Sequence, residues 1–466
     1  MAVRTTEAVG REFLQHALSL RKPGLSAVVV PAARAPLTVL PSAVREDVVS
    51  LWHHADDRSF AGVGLAAAIE VQGADRWRQL REGIESSLGR VQVTVHGDAA
   101  PVRPVLLGGL AFAAGWADDC WEGFGDGSFV LHRWTYERAE SPTLALAVDT
   151  SALSDVGSEQ LLAEYDRIVA ALAAAADDRL FPPPESAADR IPELALRQMP
   201  MVDWIEHVRS IQRELERGAF EKLVAARRCD VSIAGLDATS IVSRMAQDFA
   251  DCTAFLFRRG ERTFVGATPE MLFRTRGRTV ESQALAGSLQ TEGGSGNREA
   301  LLAHSQKNLG EHDVVVRAIV AGLQDHCVAI EHPPEPEIVH VRNLIHLSTP
   351  IRGHLRDGAH PVDILETLHP TPAVGGVPRL ESIRWIVEHE RSPRGWYTGP
   401  IGWIDTAGDA TFRVALRCGV VEPGAAHLYT GAGIVAASNP AAEYHETSLK
   451  QRPFLRALGV VGGERA

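Results

Sequence analysis

Cysteine is scarce in this sequence. The five residues, Cys120, Cys229, Cys252, Cys327 and Cys418, are odd in number and scattered, without the paired spacings of a zinc site or a disulfide framework. Basic runs are missing as well. The formal net charge of −12 is spread along the chain, and no cluster of lysines and arginines offers the electrostatic footprint of a nucleic-acid-binding protein. An anionic ligand must therefore find a local positive site. No stretch of about 18 apolar residues suggests a membrane span. The opening segment MAVRTTEAVGREFLQHALSLRKPG lacks a long apolar run followed by a small-residue cleavage site, so no secretory signal is read. No internal repeat points to a solenoid. What is present, 45% hydrophobic and 23% charged residues, suits a globular protein with a sizeable core. The simplest expectation is a cytoplasmic, reduced protein, monomeric by default.

Length alone would allow two or three domains. Residues 160–181 carry apolar residues at helical spacing, and Pro182, Pro183 and Pro184 are expected to end that helix, because proline neither donates nor fits a helix interior. A connector at 182–198 then separates an N-terminal region, 1–181, from residues 199–466. In the first region VQVTVHG, PVLLGGLAF, GSFVLHRWTYE and TLALAVD alternate with turn residues and predict a strand-rich lobe. In the second, Trp204, Ile205, Val208, Ile211 and Leu215 predict a helix over 202–217, which Gly218 stops before a strand at 222–232. Further strands are expected in FLFRRGERTFVGAT, FRVALRCGVVE and HLYTGAGIVA, and helices near 297–324, 380–390 and 440–457. The glycine-rich GGSGN at 293–297 reads as a loop leading to a helix cap, since no strand feeds it and no Gly-Lys-Ser/Thr follows.

Several side chains stand out chemically. EYHETSLK places Glu443, Glu446 and Lys450 on one helix face. That face is either solvated and closed by a Glu446–Lys450 ion pair, or it lines a site. Glu311 in KNLGEHDVVV precedes apolar Val314, Val315 and Val316, which puts a carboxylate at the rim of a core. Two carboxylates from distant helices, completed by waters and substrate oxygens, would suit magnesium. Lys222 opens an apolar strand, either snorkelling at its edge or desolvated so that it can accept a proton near neutrality. Glu270 in GATPEMLF follows a Thr-Pro turn and precedes Met271, Leu272 and Phe273, where a partly buried carboxyl could stay protonated and donate.

In order along the chain, EKLVAARR, GATPEMLF, ALAGS, KNLGEHDVVV, HLSTPIRG, LHPTPAVGG, WYTGPIGW, FRVALRC and GAGIVAASNPAAEYHETSLK resemble the chorismate-utilising enzymes, a family that includes isochorismate synthase, salicylate synthase, anthranilate synthase component I and aminodeoxychorismate synthase. The resemblance covers about 200–455; GGLAFAAGW and GSFVLHRW extend it more loosely toward the N-terminus. It implies one large two-lobed α/β fold of α+β type, with antiparallel sheets covered by helices, and makes the proline-rich connector an internal crossover. It further implies chorismate as the substrate and Mg2+ as the cofactor.

Carried over position by position, the resemblance makes Glu311 and Glu446 magnesium ligands, with Glu443 acting through water. Arg417 and Tyr397 would receive the pyruvyl carboxylate, for which a planar guanidinium is well shaped. Gly287, Ser288, Gly431 and Lys450 would be further substrate contacts, and His346 a pocket histidine near the ring. Lys222 would activate water for attack at C2, and Glu270 would protonate the departing C4 hydroxyl. Ala286 stands where aminodeoxychorismate synthases carry a nucleophilic lysine, and Lys222 argues for water rather than ammonia. Ala373 stands where salicylate synthases tend to carry threonine. An isochorismate synthase is therefore expected, with salicylate synthase as the alternative, followed by a chorismate-aminating enzyme and a non-catalytic chorismate-binding paralogue. Ser282-Gln283 before ALAGS and Asn308 before Glu311 depart from the family pattern, and Asn308 is expected to weaken metal binding.

Overall fold

The computed structural model describes residues 6–20, 23–181, 195–233, 235–290, 305–341 and 344–460. Two large sheets stack face to face. One has 13 strands and runs from Ala195–Gln198 through Lys222–Ser232, Ala425–Ile434, Cys418–Glu422, Arg262–Thr268 and Thr253–Arg259 into the N-terminal strands Val48–His53, Phe60–Val63, Trp134–Glu137, Thr143–Asp149 and Leu25–Pro31. Gln92–Val95 closes its far edge with the only parallel pairing among the described strands. The other sheet, of 10 strands, passes from Cys327–Glu331 through Leu344–Leu355, Thr279–Gln290, Met271–Arg276, Ala410–Val414 and Pro400–Asp405 to Val105–Leu110, Gly127–Leu131 and Ala67–Val71.

Both sheets thus draw strands from both halves of the chain. Val48–His53 pairs with Thr253–Arg259 in one, and Val105–Leu110 with Pro400–Asp405 in the other. The period-2 alternation of each strand sorts side chains into two layers. Leu51 and Leu256 face the helices Thr6–Leu20, Asp155–Ala174 and Ala238–Asp248, whereas Trp52, Phe255 and Phe257 enter an aromatic layer between the sheets, where they meet Leu107, Ile401 and Trp403. The outer face of the second sheet packs on the helices Arg76–Ser87, Gln306–Gln324 and Pro361–Leu368. The order is helices, sheet, sheet, helices, as expected for antiparallel sheets covered by helices.

Several elements depart from the sequence expectation in instructive ways. The helix placed at 160–181 is Asp155–Ala174: Ser154 caps it by accepting from the Gly157 amide, and it ends well before the prolines. Residues 177–180 turn away because their backbone binds elsewhere, with the Leu37 amide donating to the Leu180 carbonyl and the Asp177 amide to that of Arg34. Of the connector at 182–198, residues 182–194 lie outside the described residues, and Ala195–Gln198 forms an edge strand on Lys222–Ser232. The helix expected from 297 is described from Gln306, with Ser305 as its cap; GGSGN lies outside the described residues. FRVALRCGVVE is not one strand but two, Ala410–Val414 and Cys418–Glu422, which belong to different sheets. The chain crosses between the sheets at Ala415, Leu416 and Arg417.

Phe412 joins the two halves of the chain, its ring centroid 6.0 Å from that of Phe129 and 5.4 Å from that of Phe273. Its replacement by alanine should lower unfolding free energy by about 3–5 kcal/mol, because the flanking rings belong to paired strands and cannot collapse into the void. A urea denaturation midpoint unchanged in Phe412→Ala would refute this.

Candidate active site

The sheet-to-sheet crossing and the ends of four neighbouring strands surround a cavity of about 190 Å³. Lys222, Glu270, Gly287, Glu311, His346, Ala373, Tyr397, Arg417, Gly431, Glu443, Glu446 and Lys450 all line it, although up to 228 residues separate the first from the last in sequence. Ser288 pairs through its backbone with His346 across the sheet, and its side chain lies outside the described residues.

Lys222 starts its strand in the interior. It is only 2% exposed, so it does not snorkel, and its Nζ lies 2.7 Å from Glu311 Oε1 on the helix Gln306–Gln324. A buried cation needs such a partner, because desolvation without one is prohibitive. The pair fits only because Gly433 has no side chain: a Cβ there would stand 2.7 Å from Lys222 Cε and 3.1 Å from Glu311 Oε1. Glu270 faces the same cavity from the turn between two strands of different sheets, with its carbonyl accepting from the Val414 amide. Burial pushes its carboxyl up to about 7, against the opposing influence of Lys222 and Lys450. The carboxyl thus holds its proton to a higher pH than an exposed glutamate would, in keeping with its apolar sequence context.

The helix Pro440–Ala457 supplies the opposite side. Glu443 is buried, while Glu446 and Lys450 lie nearer the rim and form an i, i+4 ion pair at 2.7 Å. The Glu446–Lys450 ion pair of the first reading exists, but the face is not simply solvated, because Glu443 is buried and all three side chains line the cavity. Burial alone would lower the Lys450 pKa, but Glu446, Glu311 and Glu443 together raise it, so the ammonium stays charged; it also donates to the Gly431 carbonyl at 3.2 Å.

Gly287 occupies a β-bulge between Ala286 and Ser288 with φ +71, a conformation glycine adopts without strain, and a Cβ would press to 3.1 Å on that of Asn308. At Gly431 a Cβ would lie 2.8 Å from the Ala225 carbonyl oxygen and 3.2 Å from the Tyr397 hydroxyl. At both glycines the cavity wall is bare backbone, with no room for a side chain. Burial, together with Arg417 and Lys450, lowers the His346 pKa to about 3, leaving the imidazole neutral. Arg417 stacks its guanidinium over Phe249 at 5.2 Å and approaches Cys252 Sγ at 3.8 Å.

Among described non-glycine residues, Thr398 (φ 60) and Arg417 (φ 48) alone have positive φ, and both line the cavity. Backbone strain of this kind concentrates at functional sites and has to be held by surrounding contacts. Sequence reasoning missed Thr398, together with Val224, Tyr429, Thr430 and Gly433. Tyr429 stacks on Tyr397 with centroids 5.3 Å apart, and its hydroxyl accepts from Trp121 Nε1 at 3.0 Å. The glycines of GAGI were the available signal for the close approach at Gly433; nothing local marks Tyr429.

Among the described residues, no group of three His, Cys, Asp or Glu side chains could hold a metal by itself. Glu311 and Glu446 each commit one oxygen to a lysine. The donor set is nevertheless all carboxylate oxygen, drawn from two helices that face one cavity, which fits a hard cation such as Mg2+ that keeps waters and substrate oxygens as its remaining ligands. Asn308 also lines this side and contributes no charge.

A profile described as chorismate binding enzyme matches residues 12–459. The chain belongs to the chorismate-binding enzyme family. Among members of this family, it is 30% identical to isochorismate synthase MenF of Bacillus subtilis (strain 168), over 99% of this chain and 100% of that protein. It is 32% identical to the salicylate biosynthesis isochorismate synthase of Pseudomonas aeruginosa, over 89% of this chain and 85% of that one. The solved structure of MenF, the menaquinone-specific isochorismate synthase from Escherichia coli, shares the fold, with a TM-score of 0.73 at 24% identity over 97% of this chain and 100% of that one. The chorismate-binding fold expected from the motifs is thus the fold observed.

A carboxyl that titrates near 7 sets the sign of the pH response. If protonated Glu270 is the required form, the Glu270 contribution to turnover should fall by about tenfold per unit well above pH 7. Glu270→Gln should abolish this alkaline limb and reduce turnover by roughly 10²–10⁴. An unchanged limb in the variant would assign it to another group.

Proposed function

We propose that this chain is an isochorismate synthase, converting chorismate to isochorismate. The observation that carries the reading is the pairing, in one cavity, of a buried amine at Lys222 with a buried carboxyl at Glu270 that holds its proton up to about pH 7. That is the pair of groups a redox-neutral hydroxyl exchange needs. Lys222, acting as the neutral amine once its own proton has passed to solvent, takes a proton from water as the water oxygen bonds to C2 of the ring. The ring double bonds shift, the C4–O bond breaks, and Glu270 delivers its proton to the departing oxygen, which leaves as water. One water enters and one leaves. Each proton transfer contributes roughly 10²–10⁴ in rate when well placed.

Charge supports the assignment of substrate and cofactor. In the resting form, with Glu270 protonated and Lys222 still carrying its proton, the formal charges of Glu311, Glu443 and Glu446 balance those of Lys222, Arg417 and Lys450. A doubly anionic substrate would leave this enclosed site two charges negative, and a divalent cation restores neutrality. Glu311 and Glu446 would hold Mg2+, with Glu443 acting through water. When bound, the ion supplies orientation and charge neutralisation for the ring carboxylate. Arg417 and Tyr397 receive the pyruvyl carboxylate, Gly287 and Gly431 let the backbone approach, Ser288 and Lys450 add polar contacts, and neutral His346 lies beside the ring. Ala286 lines the cavity where a covalent amine mechanism would need a lysine, and this favours hydroxyl transfer over amination.

The test is incubation of purified protein with chorismate, with and without magnesium, followed by chromatography for isochorismate, salicylate and pyruvate. Magnesium-dependent isochorismate without salicylate is expected; stoichiometric salicylate and pyruvate would make the chain a salicylate synthase. Lys222→Ala should lower turnover by roughly 10²–10⁴ with chorismate binding retained, and near-normal turnover would remove the lysine from its role as base. Glu446→Gln should raise the magnesium concentration needed for half-maximal rate, and an unchanged requirement would take Glu446 out of the metal site. Ala373 lines the cavity, so Ala373→Thr should increase pyruvate release; no increase would place the lyase determinant elsewhere.

A further inference from the structure

Behind the cavity lies a buried ion pair that the reaction scheme does not use. Glu390 follows the helix Arg379–His389, and its side chain is 2% exposed; the side chain of Arg394, four residues on, is 0% exposed. All five guanidinium N–H groups of Arg394 can be accounted for. Nε donates to Glu390 Oε2 at 2.9 Å, and Nη2 donates to Glu390 Oε1 at 2.5 Å and to the Val224 carbonyl at 2.9 Å. Nη1 donates to the Val374 carbonyl at 2.7 Å and to Thr398 Oγ1 at 3.3 Å. Glu390 Oε1 also accepts from the Ala226 amide at 2.9 Å.

The three acceptors beyond Glu390 share one property: Val224, Val374 and Thr398 all line the cavity, and they come from three separate segments. Val224 is in the strand that begins with Lys222, Val374 follows Ala373, and Thr398 follows Tyr397. Thr398 is also one of the two strained residues, and its amide donates to the Ala415 carbonyl at 2.8 Å, at the crossing that leads to Arg417. A buried ion pair is a weak source of net stability, because desolvation offsets its attraction. Its value is geometric: a rigid planar fork can fix three chain segments at once, which a lysine's single ammonium cannot do.

We propose that the Glu390–Arg394 pair is a positioning device for the substrate-binding wall of this cavity, holding Tyr397, Ala373 and the Arg417 crossing in register. The proposal rests on the isochorismate synthase reading. Arg394 and Glu390 make no direct hydrogen bond to Lys222 or Glu270, so the effect belongs to binding rather than to proton transfer.

The experiment compares wild type with Arg394→Lys, after circular dichroism and thermal melting show that the variant is folded. Formation of isochorismate by the wild type must be seen first; its absence would sink the underlying reading, not the role of the pair. Given that activity, Arg394→Lys should raise KM for chorismate by about tenfold or more, while kcat changes by less than about threefold and the alkaline limb of the pH profile stays in place. A folded Arg394→Lys enzyme with KM near wild type, or one that loses kcat at constant KM, would overturn the proposal. Should Arg394→Lys fail to fold, Thr398→Ala removes one acceptor and leaves the ion pair. Its KM should rise by about threefold with kcat little changed, and an unchanged KM would equally overturn the idea.

Discussion

A charged amine that is 2% exposed needs a counter-ion in contact, and the way this chain supplies one organises its catalytic half. Lys222 lies on a strand of the larger sheet, and Glu311 comes from a helix packed on the smaller one. Their contact therefore ties the two sheets together on one side of the cavity. It also dictates what surrounds it. A side chain at Gly433 would crowd the pair, and the strand Thr279–Gln290 bulges at Gly287, where a Cβ would press on Asn308 of the helix that carries Glu311. One buried cation thus constrains two strands and a helix.

Glu270 is the complementary case. Its carboxyl is also buried, yet among the described residues no ion pair compensates it, and desolvation keeps its proton on to about pH 7. The two buried groups differ in their surroundings, since one has an anion in contact at 2.7 Å and the other has cations only at longer range. The base and acid assigned to isochorismate formation are distinguished by their neighbours rather than by their residue types.

Among the described residues, the N-terminal half supports the site without lining its cavity. Trp121 holds the hydroxyl of Tyr429, Phe112 lies under the guanidinium of Arg394 at 4.4 Å, and the Phe112 amide donates to the Gly395 carbonyl at 2.8 Å. Since both sheets contain strands from both halves, this support is continuous with the core. Loss of packing at a residue such as Phe412 would therefore be felt as lost stability of the whole fold rather than of one part.

Much of the site was legible in the sequence because its groups carry their own context. A lysine opening an apolar strand, a glutamate between a Thr-Pro turn and three apolar residues, and a helix face bearing Glu443, Glu446 and Lys450 each suggested chemistry before any coordinates, and the ordered motifs identified the family. The strands Lys222–Ser232 and the helix Pro440–Ala457 fall where periodicity placed them. What periodicity could not show is a connection made by tertiary contact. FRVALRC looks like one strand because its residues are uniformly apolar or β-compatible, and only the pairing partners reveal that it leaves one sheet and enters the other. The end of the helix at Ala174 was set by backbone partners near Arg34 and Leu37, not by the nearby prolines. Tyr429, Thr398, Glu390 and Arg394 have no local signature, since their roles arise from segments far apart in the chain. Residue chemistry and the ordered motifs pointed to the family and to the candidate groups; only the packing of distant strands and helices decided which side chains would share one cavity, because burial, and with it each group's charge state, is a property of the folded neighbourhood.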